Sequence, residues 1–299
     1  MSPESRQAAL VRAMPIVFVL IWSTGFIVAR YGMPHAPPMK FLALRYFFSV
    51  LCFAAWAFLA RAALPRDRGQ YLHLAVTGIL MHAGYLGGVW AAVKMGMSAG
   101  LAALLVGLQP VLTAVWVSSR GGAVAARQWA GLALGFGGLA LVVWQKLGVG
   151  EISTANLMAA TIALFSITAG TLYQKRYLAP CDVRTASFVQ LAAAFAVTLP
   201  LALLETEAID WQGEIIGAMA WSVLALTLGG SSLLYLLIQR GAATAVTSLL
   251  YLVPPCTAVM AAILFGEHIG VFTVAGMALT AAGVSLVVRS PPPRPPARA

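Results

Sequence analysis

LAALLVGLQPVLTAVWVSSRGG (Leu101–Gly122) and VTSLLYLVPPCTAVMAAILFGE (Val246–Glu267) are two apolar runs of one chain, and they coincide when the numbering is shifted by 145 positions. Pro110 then falls on Pro255 and Gly121 on Gly266. The same shift pairs Gly96 with Gly241, Gly131 with Gly276 and Gly138 with Gly283. Other side chains replace the backbone behaviour of glycine and proline poorly, so coincidence at one offset points to duplicated geometry rather than shared composition.

The rest of the chain has the same character. It is 61% hydrophobic and 9% charged, with a mean hydropathy of +0.87 over 299 residues, whereas about a quarter of a soluble domain is charged. Ten apolar stretches stand out, at Ala13–Arg30, Met39–Ala60, Tyr71–Val93, Ala99–Ser118, Gln128–Gln145, Ser153–Tyr173, Val183–Leu204, Ile215–Ile238, Ala243–Phe265 and Gly270–Val288. At a rise of about 1.5 Å per residue, roughly 20 residues cross about 30 Å of hydrocarbon. The expected fold is therefore an all-α integral membrane protein of ten transmembrane helices.

The offset divides these helices into two repeats of five, residues 1–147 and 148–289, followed by a Pro/Arg-rich tail at 290–299. Five is odd, so the second repeat enters the membrane in the opposite sense and the repeats are inverted. With the N-terminus inside, fourteen of the 19 basic residues face the cytoplasm. Arg30, Lys40, Arg45, Lys94 and Lys146 remain outside. Both termini are thus expected to be cytoplasmic.

The net charge of +10 reads as topology, because the charges are spread over several loops and the tail. A nucleic-acid partner would need a basic patch, and none is expected. The tail is expected to be disordered beside anionic lipid headgroups. Arg6 and Arg12 precede an apolar run without a small-residue cleavage site, so the first stretch reads as a retained helix. Cys52, Cys181 and Cys256 form neither a disulfide framework nor a metal spacing.

Two sets of five spans, a proline in the fourth of each, the Gly266–Glu267 step and Gly276 to Gly283 in the last span together resemble the drug/metabolite transporter superfamily, EamA branch. The similarity covers Ala13 to Val288, and within that branch the YddG-type exporters are most similar. The resemblance implies a carrier in the bacterial inner membrane that exports small organic metabolites. It further implies amino acids, aromatic ones above all, and some amphiphilic compounds as substrates. Inverted repeats suit alternating access, since exchanging the conformations of the halves opens the opposite side. Gly122 stands where the second repeat has Glu267, so that carboxylate has no symmetrical counterpart; it is expected to cap the next helix or pair with a loop cation.

A transport site is sought among polar groups at membrane depth, which are costly in hydrocarbon and face an interior. His82 lies near the centre of the third stretch, with Tyr85 on roughly the same face and Trp90 further round. Its imidazole binds substrate, carries a proton or bonds a backbone carbonyl; sequence leaves all three open. Trp90 maps onto Tyr235, and the pair reads either as stacking surfaces for a ligand or as interfacial anchors.

Pro110, Pro254 and Pro255 are expected to break helices near the midplane, with Gln109 and Tyr251 beside them. Ser231 and Ser232, with Thr244 and Ser248, supply hydroxyls, and Trp22, Ser23 and Tyr173 complete a cavity expected between spans one, three, four, six, eight and nine. Gly84/Gly88 and Gly131/Gly135 are spaced for close helix approach. No apolar stretch contains Asp or Glu, so a hard cation is a poor ligand and a zwitterionic or weakly polar solute fits better. No cofactor, metal or obligate protein partner is expected, only a small-molecule substrate and lipid. An intramembrane hydrolase using Ser231 or Ser232 with His82, and a membrane scaffold, are the competing classes.

Overall fold

The computed structural model describes residues 3–65, 67–120, 126–147, 152–233 and 252–288, and every regular element among them is helical. The elements are α1 (Pro3–Gly32), α2 (Pro38–Leu59), α3 (Arg68–Lys94) and α4, which runs Ala99–Val106 and resumes as Gln109–Ser119. They continue with α5 (Ala126–Leu147), α6 (Thr154–Tyr177), α7 (Val183–Leu204), α8 (Gly213–Leu233), α9 (Val253–Phe265) and α10 (Val271–Val288). Among the described residues, six helical stretches are long and apolar enough to cross a membrane: α2, α3, Ala99–Trp116 of α4, α6, α7 and α8.

Local chemistry explains several helix boundaries. Asp67 accepts the Gly69 N–H at the start of α3, and Ser153 with Asn156 forms a reciprocal capping box on α6. Asp182 caps α7 through the Arg184 N–H, while the Arg184 guanidinium holds its carboxyl below the usual range. α2 starts on Pro37–Pro38, where no side chain of its own caps the first turn. Glu205, far along the chain, does so instead: its two oxygens accept the Met39 and Lys40 N–H groups at 3.0 and 2.8 Å.

The outer surface is apolar where a soluble protein would be charged. Phe58, Trp144, Ile263 and Val271 are almost fully exposed, while Phe41, Tyr46 and Phe53 are buried. Hydrocarbon solvates such side chains as well as a protein core does, so only the polar groups are forced inward.

Small residues set the closest approaches. α5 and α10 cross antiparallel, with Gly131 against Gly283 and Gly138 against Gly276. At the crossing, Thr280 Oγ1 donates to the Gly135 carbonyl at 3.4 Å. Each partner is the 145-offset counterpart of a residue on the opposite helix, which is the contact pattern of two related helices across a two-fold axis. Gly84 and Gly88 lie equally close to Ser166 and Ala163 of α6.

Several expectations change. Arg45, counted among the five basic residues on the outer side although it lies within the second apolar stretch, sits inside α2 and is 6% exposed; a count of charges does not reveal which way a side chain turns. Pro254 and Pro255 occupy the first turn of α9, where a missing N–H costs nothing, rather than the interior of a described helix. The end of the expected eighth span, the start of the ninth, Tyr235, Thr244, Ser248, Tyr251 and the tail at 290–299 lie outside the described residues.

The α5–α10 crossing yields a prediction. A Cβ on Gly138 would sit 2.5 Å from the Gly276 carbonyl oxygen, whereas one on Gly137 meets nothing within 4 Å. Gly138→Val should cost about 2 kcal/mol or more through overpacking, lowering the thermal midpoint of detergent-solubilised protein. Gly137→Ala should leave it unchanged. Equal midpoints for the two variants would mean the crossing does not carry stability.

Candidate functional site

A cleft opens between α1, α2, α3, α6 and α8. Its lining comes largely in pairs 145 positions apart: Trp22 with Ile167, Met81 with Leu226, His82 with Thr227, and Leu86 with Ser231. The space therefore lies where the same faces of α1 and α6, and of α3 and α8, meet.

Both α3 and α8 leave α-helical geometry beside the cleft. π-helical turns run through Ile79–Gly84 and Ser222–Gly230, and His82 and Thr227 stand at equivalent places within them. A π turn adds a residue per turn and loosens the backbone ladder, a feature frequent at functional sites. The freed hydrogen-bonding capacity is used: the Tyr46 hydroxyl donates to the His82 carbonyl at 2.9 Å, and Thr227 Oγ1 donates to the Ser222 carbonyl at 2.8 Å.

The polar interior is an arginine-centred pair and its neutral twin. Arg45 Nε and Nη2 donate to Thr227 Oγ1 at 3.2 and 3.1 Å, joining α2 to α8. Gln190 of α7, the 145-offset counterpart of Arg45, lies beside His82 of α3, the counterpart of Thr227. The pair is thus charged in one half and neutral in the other. Close approach of Gly78 to the Gln190 backbone sets the α3–α7 spacing.

The residues singled out from sequence divide into two groups. Trp22, His82, Tyr85, Trp90 and Ser231 line the cleft together. Trp90 is buried and stacks on Phe41 with centroids 4.4 Å apart, so it is walled in rather than placed at a lipid interface. The others lie elsewhere. Ser23 and Ser232 donate to Val19 and Leu228 of their own helices. Gln109 Nε2 donates to Thr171 Oγ1 at 2.8 Å, and Tyr173 pairs with His73 at 2.8 Å. α4 is interrupted at Gly107–Leu108 just before Pro110, and the Pro254 ring packs against Gly107, yet among the described residues neither α4 nor α9 lines the cleft. Tyr235 and Tyr251 are outside the described residues.

Arg45, Gln190 and Thr227 were missed. A signal existed for Arg45, since it is a cation within an apolar run. For Gln190 and Thr227 the only signal was the offset, which ties them to Arg45 and His82.

The two ends of the bundle differ. At one end the α7–α8 connection is tied to α1, α2 and α3. Lys94 Nζ meets Glu207 Oε1 at 2.6 Å and the Met33 carbonyl at 3.0 Å, and Lys40 Nζ donates to the Glu207 carbonyl at 2.7 Å. Asp210 N donates to the His35 carbonyl at 2.8 Å. At the opposite end aromatic contacts dominate: Tyr177 stacks on His73 and packs beside Tyr173, and Gln70 Nε2 donates to the Ala179 carbonyl.

Comparison with known proteins agrees with this architecture. A model of the EamA-like transporter family matches twice, at residues 12–144 and 154–289. A Salmonella typhimurium protein described as "Probable amino-acid metabolite efflux pump" is 26% identical over 290 residues, covering 92% of this chain and 93% of its own. The inner membrane transporter YedA of Escherichia coli K12, itself uncharacterized, is 26% identical over 271 residues, covering 89% and 84%. A solved crystal structure with 16% sequence identity superposes on 91% of this chain and 94% of its own at a TM-score of 0.62, a likeness of fold alone. With both halves matched, the chain belongs to the EamA-like transporter family.

Proposed function

We propose that this membrane transporter exports neutral amino acids, aromatic ones first, by alternating access through the cleft, from a multi-pass position in a bacterial inner membrane. The observation that carries this reading is the cleft itself, lined by equivalent positions from two copies of the family module and flanked by a π turn in each. Trp22, Phe26 and Trp90 offer flat apolar surface to a ring, while His82, Tyr85, Thr227 and Ser231 offer hydrogen bonds. The names of similar proteins support the substrate class and the membrane.

In this reading residues 1–147 and 148–289 are inverted five-helix halves, with both termini cytoplasmic. The Lys94–Glu207 end is then periplasmic and held shut, and the His73–Tyr177 end is cytoplasmic. Export requires the ionic end to open, breaking the bonds of Glu205 and Glu207 to α2 and α3. Other metabolites and amphiphilic drugs are the alternative cargo of the same cleft.

Counterflow tests the carrier. Proteoliposomes preloaded with unlabelled amino acid should take up labelled aromatic amino acid saturably, and empty liposomes should not. His82→Ala should lower this exchange at least about tenfold while the protein stays monodisperse, because it removes a hydrogen bond made in the cleft and not the Tyr46 bond to the backbone. Wild-type rates in that variant would remove His82 from the mechanism. Joining Lys94→Cys to Glu207→Cys with a short bifunctional thiol reagent, in protein lacking Cys52, Cys181 and Cys256, should arrest exchange. Undiminished exchange after complete cross-linking would mean that this end does not open.

A further inference from the structure

We propose that Arg45 is the anion anchor of the cleft, and that the ligand it selects is an organic monocarboxylate whose ammonium group, where present, is not required. The inference rests on the transport reading above and narrows its substrate class. Arg45 lines the cleft yet is 6% exposed, so its guanidinium is withdrawn from bulk solvent. A buried guanidinium of this kind normally stands against a carboxylate, because an unpaired charge in a low-dielectric interior is strongly disfavoured. Among the described residues its hydrogen bonds go to one neutral acceptor, Thr227 Oγ1, through Nε and Nη2. No acidic residue lines the cleft among the described residues, and no apolar stretch of the sequence carries one.

The geometry is that of a guanidinium held from one edge and open on the other. Thr227 Oγ1 is itself fixed, since it donates to the Ser222 carbonyl and so presents its lone pairs to Arg45. Among the described residues Nη1 meets no acceptor, which leaves its donors for a ligand. A guanidinium edge matches the two oxygens of a carboxylate, and the apolar walls at Trp22, Phe26 and Trp90 stand ready for the remainder of the molecule. Gln190, at the equivalent position of the second half, carries no charge, so the cation is particular to the first half. A positive ammonium, by contrast, meets Arg45 repulsively and finds no carboxylate.

The test uses the full chain and four aromatic compounds with one common ring: the amino acid, its deaminated carboxylate, its amide and its decarboxylated amine. Each competes against labelled amino acid in exchange by proteoliposomes, and for labelled carboxylate bound to detergent-solubilised protein. The two carboxylates should compete at concentrations at least about tenfold below those of the amide and amine, the advantage expected of a charge-assisted hydrogen bond. Arg45→Gln should erase that difference, Arg45→Lys should restore part of it, and Thr227→Val should weaken both carboxylates.

Equal competition by the amide in the wild-type protein overturns the anchor, whatever the variants do, so a misfolded Arg45 variant does not shelter the proposal. Survival of the carboxylate preference in folded Arg45→Gln overturns it too. Exchange without carboxylate preference leaves the carrier and removes the anchor. Carboxylate binding without exchange keeps the anchor and removes the carrier. Neither binding nor exchange by any of the four removes both.

Discussion

In hydrocarbon, a backbone amide or charged head without a partner is disfavoured by several kcal/mol, and each feature of this protein answers to that constraint. It makes every described regular element a helix. It leaves Phe58, Trp144 and Val271 free to face outward. It also draws many interior polar side chains into bonds: Ser23, Thr168 and Ser232 bond carbonyls of their own helices, while Arg45 and Gln109 reach across to a neighbour. The bond from Arg45 to Thr227 stands in the lining of the cleft.

Arg45 and Thr227 join α2 to α8 at the cleft, and their 145-offset counterparts Gln190 and His82 stand close together on α7 and α3. Two related halves packed about an axis bring equivalent residues into equivalent contacts. A ligand on that axis sees near-symmetric walls, so recognition of a molecule with two different ends requires the halves to differ. They differ in charge, with arginine against glutamine, and in shape, with Trp22 against Ile167 and Leu86 against Ser231. Divergence at a few positions thus makes a directional site inside a duplicated frame.

The ends of the bundle show a comparable division. Ionic contacts tie the α7–α8 connection to the start of α2 and the end of α3, and Glu205 doubles as the cap of α2, whose proline start supplies none. Aromatic stacking occupies the other end. Ionic contacts facing water are individually weak and exchange readily with solvent, which suits the opening proposed for this end.

From the sequence alone came the membrane class, the helical content, the 145-residue offset and five of the cleft residues: Trp22, His82, Tyr85, Trp90 and Ser231. These are legible because hydropathy is a property of contiguous residues and because glycine and proline mark backbone geometry wherever they stand. That Gly131 and Gly135 allow a close helix approach was legible for the same reason, but that α10 is the helix approached was not. Tertiary structure alone decided that Arg45 turns inward, that Thr227 and Gln190 stand beside Arg45 and His82, that Gln109 and Tyr173 look elsewhere, and that Glu205 caps a helix lying more than half the chain away. The direction of a side chain around a helix depends on the helix it meets, and the π turns that carry His82 and Thr227 have no mark in composition. Sequence holds what each residue is, and packing decides what it faces.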